Sequence, residues 1–411
     1  MNLFVSALEP SSNMHLLSLL RELDKNKNKN MPGIKISGIY SDFSNELKNL
    51  YFEPSLFHIS DFSVMGFVDV LKRLSFFKNA QKLATKCALR SDLVLLLDGS
   101  SFHLRLAKDL KKHNFKKPII YYILPQIWAW KPWRISQIMR DFTLLCAILP
   151  FELKNYESYI SKMGLNKNDF IFDIKNFNAP KKEHFSKDHF ASVVYVGHPL
   201  FDSLKLQNEQ KQKNKKTDKK LIFMPGSRIG EIKRIFPILR DLAKDPALSG
   251  YKKILVIPTF FDKNNLDQIY GPTNDFELCF DTKKALDGAH FAFICSGTAT
   301  LEAALLKVPF VLCYIAKNVD YLIAKNLLNI KFIGLANIMW SQFNDSFLHA
   351  ELIQKDCNKQ KLLSAFLDFD FDTFYKNVGF LRQYLGHGSA QNVSNILLQM
   401  YNQISQDKDR N

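Results

Sequence analysis

Two consecutive α/β domains, each built on a Rossmann-like parallel sheet and facing one another across a cleft, are what this sequence predicts. Three observations lead there. Short apolar runs alternate with helical stretches from residue 3 onward. A polar break, QNEQKQKNKKTDKK at 207–220, then interrupts them with no apolar residue that could pack. Beyond it the same alternation restarts. Strand, crossover helix and parallel strand are what such alternation encodes. Open parallel sheets bind ligands beyond the carboxyl ends of their strands, so the site is expected in the cleft.

Taken in order, LFVSAL (3–8) reads as the first strand, Glu9-Pro10-Ser11-Ser12 as a turn, and His15 to Leu23 as a helix. KNKNKN (25–30) is a solvated loop and IKISGIY (34–40) the second strand. LVLLL (93–97), IIYYIL (119–124), LLCAIL (144–149) and VVYV (193–196) continue the sheet. After the break come LIFM (221–224), ILVIP (254–258), FELCF (276–280), FAFIC (291–295) and FVLCYI (310–315). SAQNVSNILLQMYNQI (389–404) reads as an amphipathic helix. With 411 residues, 46% of them hydrophobic, the chain can fill two cores.

Several classes drop out. Neither half carries a Gly-x-Gly-x-x-Gly fingerprint or a Gly-Lys-Ser/Thr phosphate loop, which argues against a dehydrogenase or an NTPase. No apolar run approaches the ~18 residues needed to span a bilayer. The cysteines at 87, 146, 279, 295, 313 and 357 stand singly, as in a reduced, cytosolic compartment. The formal charge of +16 calls for an anionic partner, nucleic acid or membrane. No nucleic-acid recognition motif accompanies it, so no nucleic acid is expected.

FAFICSGTATLEAAL (291–305) carries the clearest chemistry. A strand runs through Ser296-Gly297-Thr298 into a helix, aiming unpaired N–H groups and two hydroxyls at one point, which suits a phosphate. Glu302, about one turn inside, could accept hydrogen bonds from vicinal ribose hydroxyls or simply complement the helix dipole. LIFMPGSRIGEIKR (221–234) repeats the arrangement, with Gly226, Ser227 and Arg228 in the turn and a guanidinium able to pair bidentately with a diphosphate. Two such loops in one domain point to a nucleotide diphosphate. Asp98 ends the run 93–97, where it could be a base or a turn aspartate before Gly99-Ser100. Asp368, Asp370 and Asp372 of LDFDFD (367–372) follow no apolar strand and read as a solvated edge, so no metal or cofactor is expected.

VMGFVDVL (64–71), IWAWKPWR (127–134), VGHPLFD (196–202), PGSRIGEI (225–232) and SGTATLEAAL (296–305) together resemble the lipid-A-disaccharide synthase family, inverting glycosyltransferases of the two-domain GT-B type. The resemblance implies transfer of 2,3-diacylglucosamine from its UDP conjugate to 2,3-diacylglucosamine 1-phosphate through a β-1,6 bond, with release of UDP. It places Arg228, Ser296, Thr298 and Glu302 in the donor region, with Gly226, Ser227 and Gly297 in the same loops. Asn337 of GLANIMW (334–340) joins them on the resemblance alone. It tips Asp98 toward the general base, with Glu9 as a second carboxylate that serves as base or holds the acceptor. The family pattern after the first strand is Gly-Glu-x-Ser-Gly-Asp, where this chain reads Leu8-Glu9-Pro10-Ser11-Ser12-Asn13, without the glycines or the aspartate. His198 of Gly197-His198-Pro199 is as well explained by a structural role.

An acylated substrate fits two further features. No acidic residue lies between Val70 and Ser91, while Arg73 and five other cations accompany Phe67, Leu71, Leu74 and Phe77. Such a helix could lie on an anionic membrane or pack on the core with a wet basic face. Trp128 and Trp130 suit an interfacial loop or a packed aromatic corner. The expected organisation is 1–206 as the acceptor-binding, membrane-facing domain, 207–220 as linker, 221–385 as the UDP-sugar domain, and 386–411 as a helix returning to the first domain. The expected location is the cytoplasmic face of the bacterial inner membrane, and a homodimer stays open. The alternative on the same scaffold is a UDP-N-acetylglucosamine 2-epimerase.

Overall fold

Leu93–Leu97, five consecutive buried apolar residues, has an apolar environment on both faces, as a central parallel strand must. The computed structural model describes the chain apart from residues 26–32, 63–73, 128–131, 178–179, 181–189, 205–218, 260, 296, 317–330 and 409–411. The chain divides into two compact units, Met1–Gln207 with Leu385–Asn411, and Asn208–Tyr384.

The first unit contains β1 (Asn2–Ala7), α1 (Pro10–Lys25), β2 (Ile34–Ile39), β3 (Leu50–Phe52), α2 (Leu74–Ala88), β4 (Leu93–Leu97), α3 (Ser100–Lys112), β5 (Ile119–Tyr122) and α4 (Ile135–Asp141). It continues with β6 (Leu144–Ala147), α5 (Leu153–Lys162), β7 (Ile171–Asp173), β8 (Ser192–Tyr195) and α6 (Pro199–Leu204). All described strand pairs are parallel, in the order β3-β2-β1-β4-β5-β6-β8-β7. The expected turn at Glu9–Ser12 is instead the start of α1, with Pro10 at its first position, where a missing N–H costs nothing.

The second unit contains β9 (Lys220–Met224), α7 (Ile229–Ala243), β10 (Lys252–Val256), α8 (Leu266–Tyr270), β11 (Glu277–Cys279), α9 (Thr282–Leu286) and β12 (Phe291–Ile294). After these come α10 (Thr298–Leu305), β13 (Phe310–Tyr314), α11 (Leu335–Trp340), β14 (Glu351–Ile353), α12 (Lys359–Leu367) and α13 (Phe371–Leu385). Its parallel sheet runs β11-β10-β9-β12-β13-β14. Asp370 accepts a hydrogen bond from the Thr373 N–H at the head of α13, so the LDFDFD stretch is a helix–helix connection.

The chain ends in α14 (Ala390–Lys408), which belongs to the first unit. Val393, Ile396, Leu397 and Met400 share a core with Leu16, Leu19, Leu20 and Leu23 of α1. Asp202 of α6 accepts from the Ser389 and Ala390 N–H groups at 2.8 and 3.0 Å, capping α14, and the Ser389 hydroxyl meets that of Tyr122 at 2.6 Å.

Candidate active site

Strand order decides where each sheet leaves room for a ligand. In the first sheet β2 lies on one side of β1 and β4 on the other, and in the second β10 and β12 flank β9 in the same way. Loops that leave the carboxyl ends of β1 and β4, or of β9 and β12, therefore diverge and open a crevice in each sheet. Ala7 pairs with Leu97, and Met224 with Ile294, so the two strands of each pair end level. Glu9 and Asp98 follow the first pair; Gly226–Arg228 and Gly297–Glu302 follow the second.

Asp98 is built to point somewhere. Its backbone is left-handed (φ 56°), as is that of Gly99 (φ 65°), a conformation that costs a non-glycine residue energy and must be held. Two buried side chains hold it. His103 of α3 donates from Nδ1 to the Asp98 carbonyl, and Tyr121 of β5 donates to the same oxygen at 3.1 Å. With its proton on Nδ1, His103 accepts at Nε2 from the Ser6 hydroxyl, 2.8 Å away on β1. Burial lowers the His103 pKa to about 4, which keeps the ring neutral and this tautomer in place. A side chain on Gly99 would put its Cβ 2.9 Å from His103 Cε1, so the turn needs glycine on two counts. Among the described residues the Asp98 carboxyl accepts one hydrogen bond, from the Gly99 N–H at 2.9 Å. Burial raises its pKa, moving it toward the range a general base needs.

Glu9 is exposed at the end of the neighbouring strand. Asn13 organises its loop: Nδ2 donates to the carbonyls of Ala7 (2.8 Å) and Glu9 (2.9 Å), and Oδ1 accepts from the Ser41 N–H (2.7 Å). A carboxylate could make only the last of these contacts. No residue from Leu8 to Asn13 has positive φ, so this loop closes without the glycines of the family pattern.

In the second unit Arg228 precedes α7 with an exposed side chain, and its Nη1 donates to Glu231 Oε1 at 2.9 Å. That carboxylate keeps the guanidinium charged and leaves its other donors available. Gly226 (φ 115°) makes room for the same carboxylate, since a Cβ there would lie 2.9 Å from Glu231 Oε2. Gly297 (φ 131°) precedes α10 with open space around it, and Thr298 is exposed beside it. Glu302 lies in α10, and burial, reinforced by Asp281, raises its pKa to about 7. Arg234 was not anticipated from the sequence. Its Nε donates to the Ile315 carbonyl at 2.8 Å, and its electrostatic influence reaches Tyr314 together with that of Arg228. The only sequence signal for it is its place in the same glycine-led helix start.

Asn337 does not present its side chain to a ligand. It is wholly buried, donates to the His349 carbonyl and to Glu351 Oε1 (2.9 Å each), and accepts from the Leu348 and His349 N–H groups. All its hydrogen-bonding capacity is spent inside the unit, so it supports α11 from within. His198 is also internal: burial lowers its pKa to about 3 and its Nδ1 accepts from the Leu200 N–H. Leu74 is exposed on α2, whereas Phe77 joins a cluster with Phe62 and Phe76 beside Phe102. Ser296, Phe67, Leu71, Arg73, Trp128 and Trp130 lie outside the described residues.

The lipid-A-disaccharide synthetase family model matches residues 3–165 and 174–370. A lipid-A-disaccharide synthase of Helicobacter pylori strain G27 is 40% identical over 410 residues, 97% of this chain and 99% of that one. The Campylobacter jejuni strain RM1221 synthase is 39% identical, covering 96% and 98%. This chain belongs to the lipid-A-disaccharide synthase family. It is a glycosyltransferase with the family's GT-B fold of two Rossmann-like domains. Among solved structures, the glycotransferase of kitacinnamycin superposes with TM-score 0.52 at 13% identity, covering 97% of this chain and 98% of that one. The UDP-GlcNAc 2-epimerase of Neisseria meningitidis, bound to UDP-GlcNAc, gives 0.51 at 12%, covering 97% and 98%. At such identities these two likenesses speak for the fold alone, so the epimerase alternative rests on shared architecture.

Proposed function

We propose that this chain transfers 2,3-diacylglucosamine from its UDP conjugate to the 6-hydroxyl of 2,3-diacylglucosamine 1-phosphate with inversion. The first unit takes the acceptor. Asp98 accepts the proton of the 6-hydroxyl as its oxygen bonds to the anomeric carbon, while Glu9 orients the acceptor sugar. The bond between the anomeric carbon and the diphosphate oxygen breaks on the opposite face. In the second unit, Arg228 and the N–H groups opening α7 and α10 take up the charge on the departing diphosphate. Ser227, Ser296 and Thr298 add hydroxyl donors, Gly226 and Gly297 allow close approach, and Glu302 accepts from the ribose hydroxyls.

The observation that carries this reading is the strained, doubly braced turn of Asp98, whose carboxyl is pushed toward a base's working range at a strand-order reversal. No described helix is long and apolar enough to cross a membrane. The acylated substrates are met at an anionic inner-membrane surface, toward which α2 turns Leu74 and its lysines.

UDP release from UDP-2,3-diacylglucosamine in mixed micelles, measured with and without the acceptor, tests the proposal. Release that depends on acceptor, with disaccharide formed, is expected. No release from folded protein under either condition would overturn it and favour the epimerase chemistry.

A further inference from the structure

The membrane-facing helix α2 does more than carry dispersed charge. Its outer line, Leu74, Lys78, Lys82, Lys86, then Arg90 just beyond its end, repeats every four residues, and Leu83 beside it is 39% exposed. At the carboxyl end of that line is a cavity of about 370 Å³, lined by Lys35, Glu53, Leu83, Lys86, Arg90 and Asn2. It lies beside α2, against the start of β1, the first half of β2 and the residues after β3, whereas Asp98 follows the carboxyl end of β4, so the chemistry described above makes no use of it. Lys35 is ion-paired with Glu53, whereas Lys86 and Arg90 form no ion pair among the described residues. Three cations thus meet one carboxylate in a pocket with an apolar rim.

We propose that this cavity binds the headgroup of an anionic phospholipid, a hydroxyl-bearing phosphodiester such as phosphatidylglycerol. Lys86 and Arg90 take the phosphate oxygens, and Arg90 can do so bidentately. Glu53, held by its ion pair with Lys35, accepts from a headgroup hydroxyl. Leu83 lies at the rim where the lipid's glycerol and first acyl carbons emerge, and the Lys78–Lys82 line continues along the same bilayer surface. The occupant is a lipid rather than free phosphate because the cavity cations Lys86 and Arg90 stand beside the exposed Leu83 at its rim. This inference rests on the membrane-facing reading of α2 and gives it a defined anchor.

The full chain should be mixed with phosphatidylcholine vesicles with and without phosphatidylglycerol, and the bound fraction read by sedimentation. Lys86→Gln/Arg90→Gln is compared with Lys78→Gln/Lys82→Gln, which removes the same charge from the same helix outside the cavity. Each removed surface charge should weaken binding roughly 5-fold by loss of diffuse attraction alone. The cavity pair should fall roughly tenfold further, because charge-assisted hydrogen bonds to phosphate are lost as well. Soluble glycerophosphoglycerol should compete with vesicles for the wild type and the Lys78/Lys82 variant but not for the cavity variant. Equal losses in the two variants, or competition by inorganic phosphate as strong as by the headgroup, would overturn the proposal. Transferase activity in phospholipid-free detergent micelles is a separate readout: its absence in the wild type would sink the function and leave the vesicle comparison standing.

Discussion

Replacing Glu302 by Gln should change donor binding and stability in opposite directions, each with a pH signature. Burial holds the Glu302 carboxyl at a pKa of about 7 against an ordinary value of 4.5. Between those values the folded chain keeps a proton that the unfolded chain has lost, so stability falls as pH rises through this window. Above pH 7 the loss is complete, and it amounts to at most about 3 kcal/mol at 1.36 kcal/mol per pKa unit. Glu302→Gln removes this cost, so the variant should gain stability at pH 8 and little at pH 4. Donor binding runs the other way. If the ionised carboxylate is the form that accepts ribose hydroxyls, wild-type affinity for a UDP-sugar should rise about tenfold from pH 6 to pH 8, as the ionised fraction climbs from about a tenth to nine-tenths. A UDP-sugar has no phosphate titrating in this range, unlike UDP, and isothermal titration against it isolates the protein's proton. Glu302→Gln should flatten the profile. A flat wild-type profile, or a slope that survives in Glu302→Gln, would refute the assignment of Glu302 to the ribose.

Arg228→Ala should weaken UDP binding by about 1.5–3 kcal/mol, the range for a charge-assisted hydrogen bond, roughly 10- to 150-fold in Kd; calorimetry reads this directly, and an unchanged Kd would remove Arg228 from the donor site. His103→Ala should lower kcat while leaving the donor KM near the wild-type value, because His103 acts on the donor reaction only through the Asp98 backbone; a loss in KM instead would mark a merely structural role.

The central strands were legible because a strand buried on both faces must be a short apolar run, as in Leu93–Leu97 and Phe291–Ile294. The edge strands are three residues each, too short to show a period, and only β11, which sits inside the apolar run FELCF, was legible; β3, β7 and β14 were not. The strand-turn-helix loops at Gly226–Arg228 and Gly297–Glu302 could be read locally, since a glycine turn after an apolar run leaves its signal within a dozen residues. The bracing of Asp98 could not. Its partners Ser6, His103 and Tyr121 come from three elements, and an isolated histidine in a helical stretch carries no sign of a serine 97 residues earlier. Asn337 was misjudged for the same reason, since its partners at Leu348–Glu351 arrive with a later loop and leave it no free donor. Pro10 read as a turn residue although proline is equally at home at a helix start. Asn13, which differs from the family pattern, proves suited to its place only once the two carbonyls it ties are seen.

The assignment of Asp98 as general base is tested most directly by Asp98→Asn, assayed for disaccharide formation with saturating donor alongside its affinity for UDP. The amide keeps the shape of the side chain and cannot accept the proton. Turnover should fall by about 10²–10⁴-fold, the usual contribution of a positioned base, with UDP affinity unchanged. Near-normal turnover in the variant would contradict the account and shift the search for the base to Glu9.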